Sequence, residues 1–131
     1  MMKHHEEKLR QMAMAHLREG EQLQQVIPGG IPSAFHARVR VFTVTDQRIL
    51  VLDGKSDAVV AEMPRSAKLI PAKAGRFDLA KAGGLSGLTS FWARYPYGEK
   101  VMFGWPQFRA LLAADGREGE SLHVTKPRLI H

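Results

Sequence analysis

The chain has 131 residues, 44% of them hydrophobic and 24% charged, a composition typical of one folded domain rather than a disordered segment. It contains no cysteine, which excludes disulfides, thiolate nucleophiles and cysteine-based zinc sites. Paired acids near the N-terminus argue against a secretory signal, and no apolar run approaches the roughly 18 residues of a membrane helix. We therefore expect a soluble, cytoplasmic protein.

The formal net charge of +6 originates in one part of the chain. Between residues 65 and 109 the only acids are Asp78 and Glu99, and the remainder of the chain is balanced. The basic residues of this window are Arg65, Lys68, Lys73, Arg76, Lys81, Arg94, Lys100 and Arg109. A one-sided basic surface favours an anionic partner, acidic lipid or nucleic acid, whereas the alternative is a solvated basic face that serves solubility.

The first predicted element is an amphipathic helix over residues 3–19. Leu9, Met12 and Leu17 recur at helical spacing, and Gly20 stands where a left-handed C-cap belongs. An isolated helix of this length is marginal in water, so its apolar stripe must be covered. We expect the stripe to pack on the same chain rather than on a second copy, which favours a monomer.

From Glu21 onward the pattern changes to short strands separated by turn residues. The clearest unit is a hairpin of two β-branched runs around Asp46, and Pro28-Gly29-Gly30 is predicted to end the strand that precedes it. Strands are predicted at 21–27, 38–45, 47–53, 58–63, 67–70, 76–80, 89–94 and 99–103. This succession predicts a mainly β fold, a bent antiparallel barrel or sandwich of about seven strands.

The pattern returns to helix after Gly104. Residues 105–115 place Pro106 in the first turn and a shared apolar face further on, and Gly116 is the natural stop. That face consists of Phe108, Leu111 and Leu112. We divide the chain into an N-terminal helix at 1–20, a β domain with its C-terminal helix at 21–116, and a loose tail at 117–131.

Two segments resemble bacterial PH-like (pleckstrin-homology-like) domains. Leu-Arg-Glu-Gly-Glu at 17–21 resembles the L-x-x-G-E lead-in of that family, and Val-Thr-Asp-Gln-Arg-Ile-Leu at 44–50 resembles its central "TDxR" hairpin. In element order the resemblance covers 17–115. It implies a bent barrel whose open end is plugged by the terminal helix, and a binding scaffold rather than an activity.

Catalytic and metal-binding motifs are missing from the sequence. Gly-Gly-Leu-Ser-Gly at 83–87 matches neither a nucleophile elbow, because Leu88 replaces the second glycine, nor a phosphate loop, and favours a turn. None of the six histidines has the H-E-x-x-H spacing of zinc enzymes. We expect a non-enzyme without a cofactor or a metal.

The candidate binding surface combines basic and aromatic residues. Arg38 and Arg40 resemble half of the basic motif of phosphoinositide-binding PH domains, although the loop before them has no Lys or Arg, and two exposed strand charges are the alternative. The other candidates are Trp92, Arg94, Tyr95, Tyr97 and Lys100, whose aromatics are expected to be exposed beside cations.

Core packing is the alternative for the aromatic cluster, and it is expected to take Phe91, Phe103 and Trp105. The leading hypothesis is a non-catalytic module that binds a protein segment or an anionic surface. The alternative is a small β-barrel that binds single-stranded nucleic acid through Arg94, Lys100 and the nearby aromatics. One continuous basic groove with exposed aromatics would favour nucleic acid, and scattered charge would favour a protein partner.

Overall fold

The computed structural model describes residues 2–32, 38–73 and 90–116, and it is mainly β. Within these residues seven antiparallel strands form one curled half-barrel sheet, with one helix before the first strand and one after the last. The elements are α1 (Met2–Met14), β1 (Leu23–Ile31), β2 (Arg38–Thr45), β3 (Arg48–Asp53), β4 (Val59–Pro64), β5 (Ile70–Ala72), β6 (Phe91–Arg94), β7 (Lys100–Phe103) and α2 (Trp105–Ala114). The order of the strands in the sheet is β4-β3-β2-β1-β7-β6-β5. The predicted fold class is confirmed. No helix in the described ranges is both long and apolar enough to cross a membrane.

The central hairpin, β2 and β3, forms because β-branched and aromatic side chains alternate between two apolar faces. Phe42 opposite Val51 lies on the inner face, which packs against α2, and Val41 opposite Leu52 lies on the outer face, which packs against α1. All four are fully buried. The hairpin therefore carries two hydrophobic clusters, one on each side of the sheet.

The C-terminal helix α2 covers the inner face through the stripe that the sequence predicts. Phe108, Leu111 and Leu112 are buried in the larger cluster. The helix begins after Gly104 with a proline in its first turn and ends at Ala114, one residue before the predicted end, with Asp115 as its C-cap.

The N-terminal helix α1 packs on the outer face, as predicted for the stripe that includes Leu9. Leu9 contacts the cluster of Val41, Leu50 and Leu52. The predicted end at residue 19 is wrong, because α1 stops at Met14. The chain that follows is bound to the hairpin instead, since the His16 carbonyl accepts from the Arg48 guanidinium.

Strand β1 contradicts the predicted break at Pro28-Gly29-Gly30, because it continues to Ile31. Gly29 lies beneath side chains of β7: a Cβ there would stand 2.6 Å from Phe103 Cε1 and 2.6 Å from Val101 Cγ1. Glycine is thus needed for close approach rather than for a turn. The ladder between β1 and β7 consists of a single residue pair, Gly30 with Met102.

The strands after the hairpin follow the predictions less closely. The strand predicted at 67–70 is found at Ile70–Ala72, because the Leu69 N–H donates to the Asp115 carboxylate rather than to a neighbouring strand. The predicted strand 76–80, the glycine-rich segment 83–87 and the tail 117–131 lie outside the described residues.

Candidate functional site

Two of the three aromatic residues that were predicted at the surface are buried, and the third is half-buried. Trp92 and Tyr95, expected to be exposed, are 5% and 2% accessible. Tyr95 stacks on Phe42 in the inner core with ring centroids 5.4 Å apart. Tyr97 is half-buried and also lies against Phe42, whereas Trp105, expected in the core, is 49% exposed. The predicted exposure is therefore wrong for Trp92 and Tyr95, and the predicted burial is wrong for Trp105.

Arg40 is buried and paired within the chain rather than exposed on the strand as the alternative assumed. Its guanidinium donates through Nε and Nη2 to the two carboxylate oxygens of Glu99 at 2.9 and 3.0 Å, and through Nη1 to Asp53 at 3.0 Å. Arg40 holds the pKa of the Glu99 carboxyl below its ordinary value. Burial, and then the hydrogen bond that Tyr97 donates to Glu99, raise the pKa of Tyr97. The Arg40 guanidinium, which was a candidate for binding an anionic ligand, therefore binds carboxylates of the protein itself.

The other three predicted site residues are cations on three different strands. Arg38 is exposed at the start of β2, and Arg94 is exposed in a cross-strand row between Ile70 and Lys100. The Lys100 ammonium donates to the carbonyl of Lys73 at 2.9 Å. The seven candidates consequently do not form one binding surface.

The basic window is also dispersed. Arg65 donates to the side-chain amide of Gln24 on β1, and Lys68 donates to the carbonyl of Asp115 after α2. Arg109 is exposed on α2, and Arg76 and Lys81 lie outside the described residues. The described cations are therefore distributed over separate elements, and several are hydrogen-bonded to protein acceptors.

The two segments that carry the PH-like resemblance contact each other. The Glu21 carboxylate accepts hydrogen bonds from Arg48 Nε at 2.8 Å, from the Thr45 hydroxyl at 2.7 Å and from the Arg18 N–H at 2.9 Å. Its side chain is fully buried, and Arg48 lowers the pKa of Glu21 to about 2. These motif residues fasten the lead-in to the hairpin tip, which is a structural role.

A groove of about 910 Å³ lies beside β1 and between the two helices. One wall is α1, the other is the first part of α2, and β1 runs along the floor. The lining residues are His5, Glu6, Glu7, Leu9, Arg10, Gln24, Gln25, Val26, Ile27, Pro28, Pro106, Gln107 and Ala110.

The groove exists because β7 ends early. β1 pairs with β2 from Leu23 to Ile31, but it meets β7 only at Gly30, and after Phe103 the chain turns into α2. Within the described residues, the part of β1 before Gly29 therefore faces a helix across a gap where a strand would otherwise pair.

The lining of the groove has an apolar centre and a polar rim. Leu9 and Ile27 are buried, whereas Glu6, Glu7 and Arg10 are exposed. Over the ranges that the structure describes, the side chains of those three charged residues form no hydrogen bond or ion pair, in contrast to Glu21, Arg48, Arg40 and Glu99. Their charges are available to a ligand.

Sequence reasoning missed the groove. Its residues come from α1, β1 and α2, and the local patterns predicted these elements without predicting how they are arranged around one strand. The only sequence signal was the adjacent pair Gln24 and Gln25, which are polar and exposed in a strand next to apolar partners.

Comparison of the chain with protein-family models, with curated proteins and with solved structures found no match. The PH-like resemblance thus depends on the two motifs and on the element order. Among the described residues, no three His, Asp or Glu side chains are grouped closely enough to hold a metal ion.

Proposed function

We propose that this protein is a non-catalytic, PH-like interaction module that binds a segment of a partner protein in the groove between α1, β1 and α2. The observation that carries the proposal is the composition of the groove. Its buried apolar centre and its exposed polar rim, which contains the unpaired side chains of Glu6, Glu7 and Arg10, match the anatomy of protein–protein interfaces.

The distribution of charge favours a protein partner over a polyanion. A surface for single-stranded nucleic acid combines a continuous basic path with exposed aromatic rings. Here Trp92 and Tyr95 are buried, Arg40 is paired with Glu99, and the remaining described cations are dispersed.

Site-directed capture tests this function. The full-length protein and an Ala110→Arg variant are each immobilised and exposed to nuclease-treated lysate of the native source, with an amine-reactive crosslinker. The crosslinker can react at Lys8, which is exposed on α1 and lies outside the groove lining. Ala110 lines the groove, so an arginine there should fill it and abolish crosslinked capture. The matched control is Arg109→Ala, a change of an exposed residue on the same helix. Both variants are first shown to melt cooperatively.

Equal capture by wild type and Ala110→Arg would contradict the proposed function. The polyanion alternative is tested in parallel by titrating labelled single-stranded DNA and acidic vesicles at two salt concentrations. We expect weak binding at most, because the basic residues do not form one surface. Tight binding that falls steeply as salt rises would replace the protein-segment proposal.

A further inference from the structure

The backbone of β1 offers hydrogen-bonding groups to the groove. The Gly54 N–H donates to the carbonyl of Val39 at 2.8 Å, so the peptide groups of Val39 point towards β3. Peptide groups alternate between the two sides of a strand in an antiparallel sheet, so those of Arg40 and Phe42 point towards β1. Their partners on β1 are Gly29 and Ile27.

The intervening residues of β1 therefore turn their peptide groups away from β2. Gly30 does so and pairs with Met102 of β7. Val26 and Pro28 follow the same parity, and both line the groove. Proline has no N–H to donate. It is tolerated at position 28 because no strand pairs with that side of β1 there. Along the described residues no strand lies opposite Val26, whose N–H and C=O face the gap.

We propose that the groove accepts an extended peptide segment, which pairs with β1 as an additional strand and carries a basic side chain towards Glu6 and Glu7. This inference rests on the proposed function and names the mode of binding and the chemistry of the partner. It requires the backbone of Val26 to bond with the backbone of the bound segment.

A strand matches this surface better than a helix. A helix satisfies its own N–H and C=O groups internally, so it would leave those of Val26 and the carbonyl of Pro28 without partners. An extended segment supplies complementary groups and directs alternate side chains towards the α1 wall and the α2 wall.

The charged residues of α1 that line the groove favour a basic side chain in the bound segment. Glu6 and Glu7 outnumber Arg10, and among the described residues none of the three is paired with a protein group. A lysine or an arginine of the bound segment would compensate the excess negative charge.

The test uses a display library of random short peptides selected against the full-length protein. Selected peptides are synthesised, and their dissociation constants are measured by fluorescence anisotropy. Methylation of the peptide's backbone amides, one at a time, should weaken binding about fivefold to tenfold at alternate positions only. On the protein, Val26→Pro removes the N–H that faces the groove and should weaken binding by a similar factor, while Val26→Ala retains that N–H and serves as the control.

We expect the selected peptides to be enriched in lysine and arginine. This enrichment should disappear when the same library is selected against the double variant E6Q/E7Q. Selected peptides could lose binding to Ala110→Arg and yet show no alternation when their backbone amides are methylated. That result would overturn strand pairing and leave the proposed function intact. An enrichment that survives E6Q/E7Q would overturn the role of the two acids. Peptides that are insensitive to Ala110→Arg, or a selection without binders, would overturn both proposals. The methylation scan remains decisive if Val26→Pro does not fold.

Discussion

At the scale of single residues, ion pairs of low solvent exposure connect parts of the chain that are distant in sequence. Glu21 and Arg48 join the lead-in of β1 to the hairpin, and Arg40 joins β2 to Glu99 in the turn before β7. Removing one member of such a pair leaves the other charge without compensation in a poorly solvated position. These residues are therefore expected to matter for stability rather than for binding.

The clearest consequence is the acid sensitivity conferred by Glu21. Its pKa is about 2 in the folded protein against an ordinary value of 4.5, so its stabilisation is complete above about pH 4.5 and is lost as the pH falls towards 2. Glu21→Gln should lower the free energy of unfolding at pH 7 by up to about 3 kcal/mol. Urea unfolding at pH 7 and pH 3 should show the difference from wild type shrinking at the lower pH.

The matched control is Glu19→Gln, because Glu19 is exposed on the same segment. Its unfolding free energy should follow that of wild type at both values of pH. A Glu21→Gln deficit of the same size at pH 7 and pH 3 would show that the carboxylate charge is not what stabilises this contact.

Exposure of single residues was the part that sequence reasoning predicted least well. Arg40 was taken for a surface cation because its partner Glu99 is 59 residues away. Trp92 and Tyr95 lie close in sequence to the turn-forming Pro96 and Gly98, which made them candidates for the surface. Their burial depends on the rest of the fold, in which Tyr95 stacks on Phe42 of β2.

At the scale of elements, predictions succeeded where the local pattern decides. The strand 38–45 and the start of α2 were predicted correctly because alternation and Pro106 act within a few residues. The end of α1 and the length of β1 were wrong because contacts from other elements determine them, Arg48 in one case and Phe103 in the other. The groove involves three elements and could not follow from any one pattern.

The helix α2 provides a test of the inner core. Leu111 is fully buried against the sheet, so Leu111→Ala should lower the free energy of unfolding by roughly 2–5 kcal/mol. Arg109→Ala, on the exposed side of the same helix, should change it by less than about 0.5 kcal/mol. Chemical denaturation of both variants is the measurement. Similar stabilities would refute the assignment of the buried face.

At the scale of the whole molecule, the sheet consists of two halves whose backbone ladder is continuous at one narrow place. The half with β1 to β4 and the half with β5 to β7 share one backbone pair, Gly30 with Met102. Side chains join the halves elsewhere, as where Tyr95 stacks on Phe42 and where Phe103 packs over Gly29. The close approach of Phe103 and Val101 to β1 therefore depends on the lack of a side chain at Gly29.

Alanine substitution distinguishes the two glycines of this junction. A Cβ at Gly29 would overlap Phe103 and Val101 at 2.6 Å, whereas at Gly30 the nearest atom, Met102 Cε, is 3.5 Å away. Gly29→Ala should thus destabilise the protein by roughly 1–3 kcal/mol, and Gly30→Ala should cost clearly less. Thermal or urea unfolding of the two variants provides the comparison, and the reverse order would refute the close approach.

The sequence separation across this junction predicts an order of assembly. Strands β1 to β4 follow one another along the chain and close through short loops, whereas pairing Gly30 with Met102 requires closure of a far longer stretch. The first half can consequently form while the second is still unstructured, an order that pulse-labelled hydrogen exchange resolves. In such an intermediate the inner side chains Phe42, Val44 and Val51 would have no cover from α2, and we expect aggregation to compete with folding at that stage.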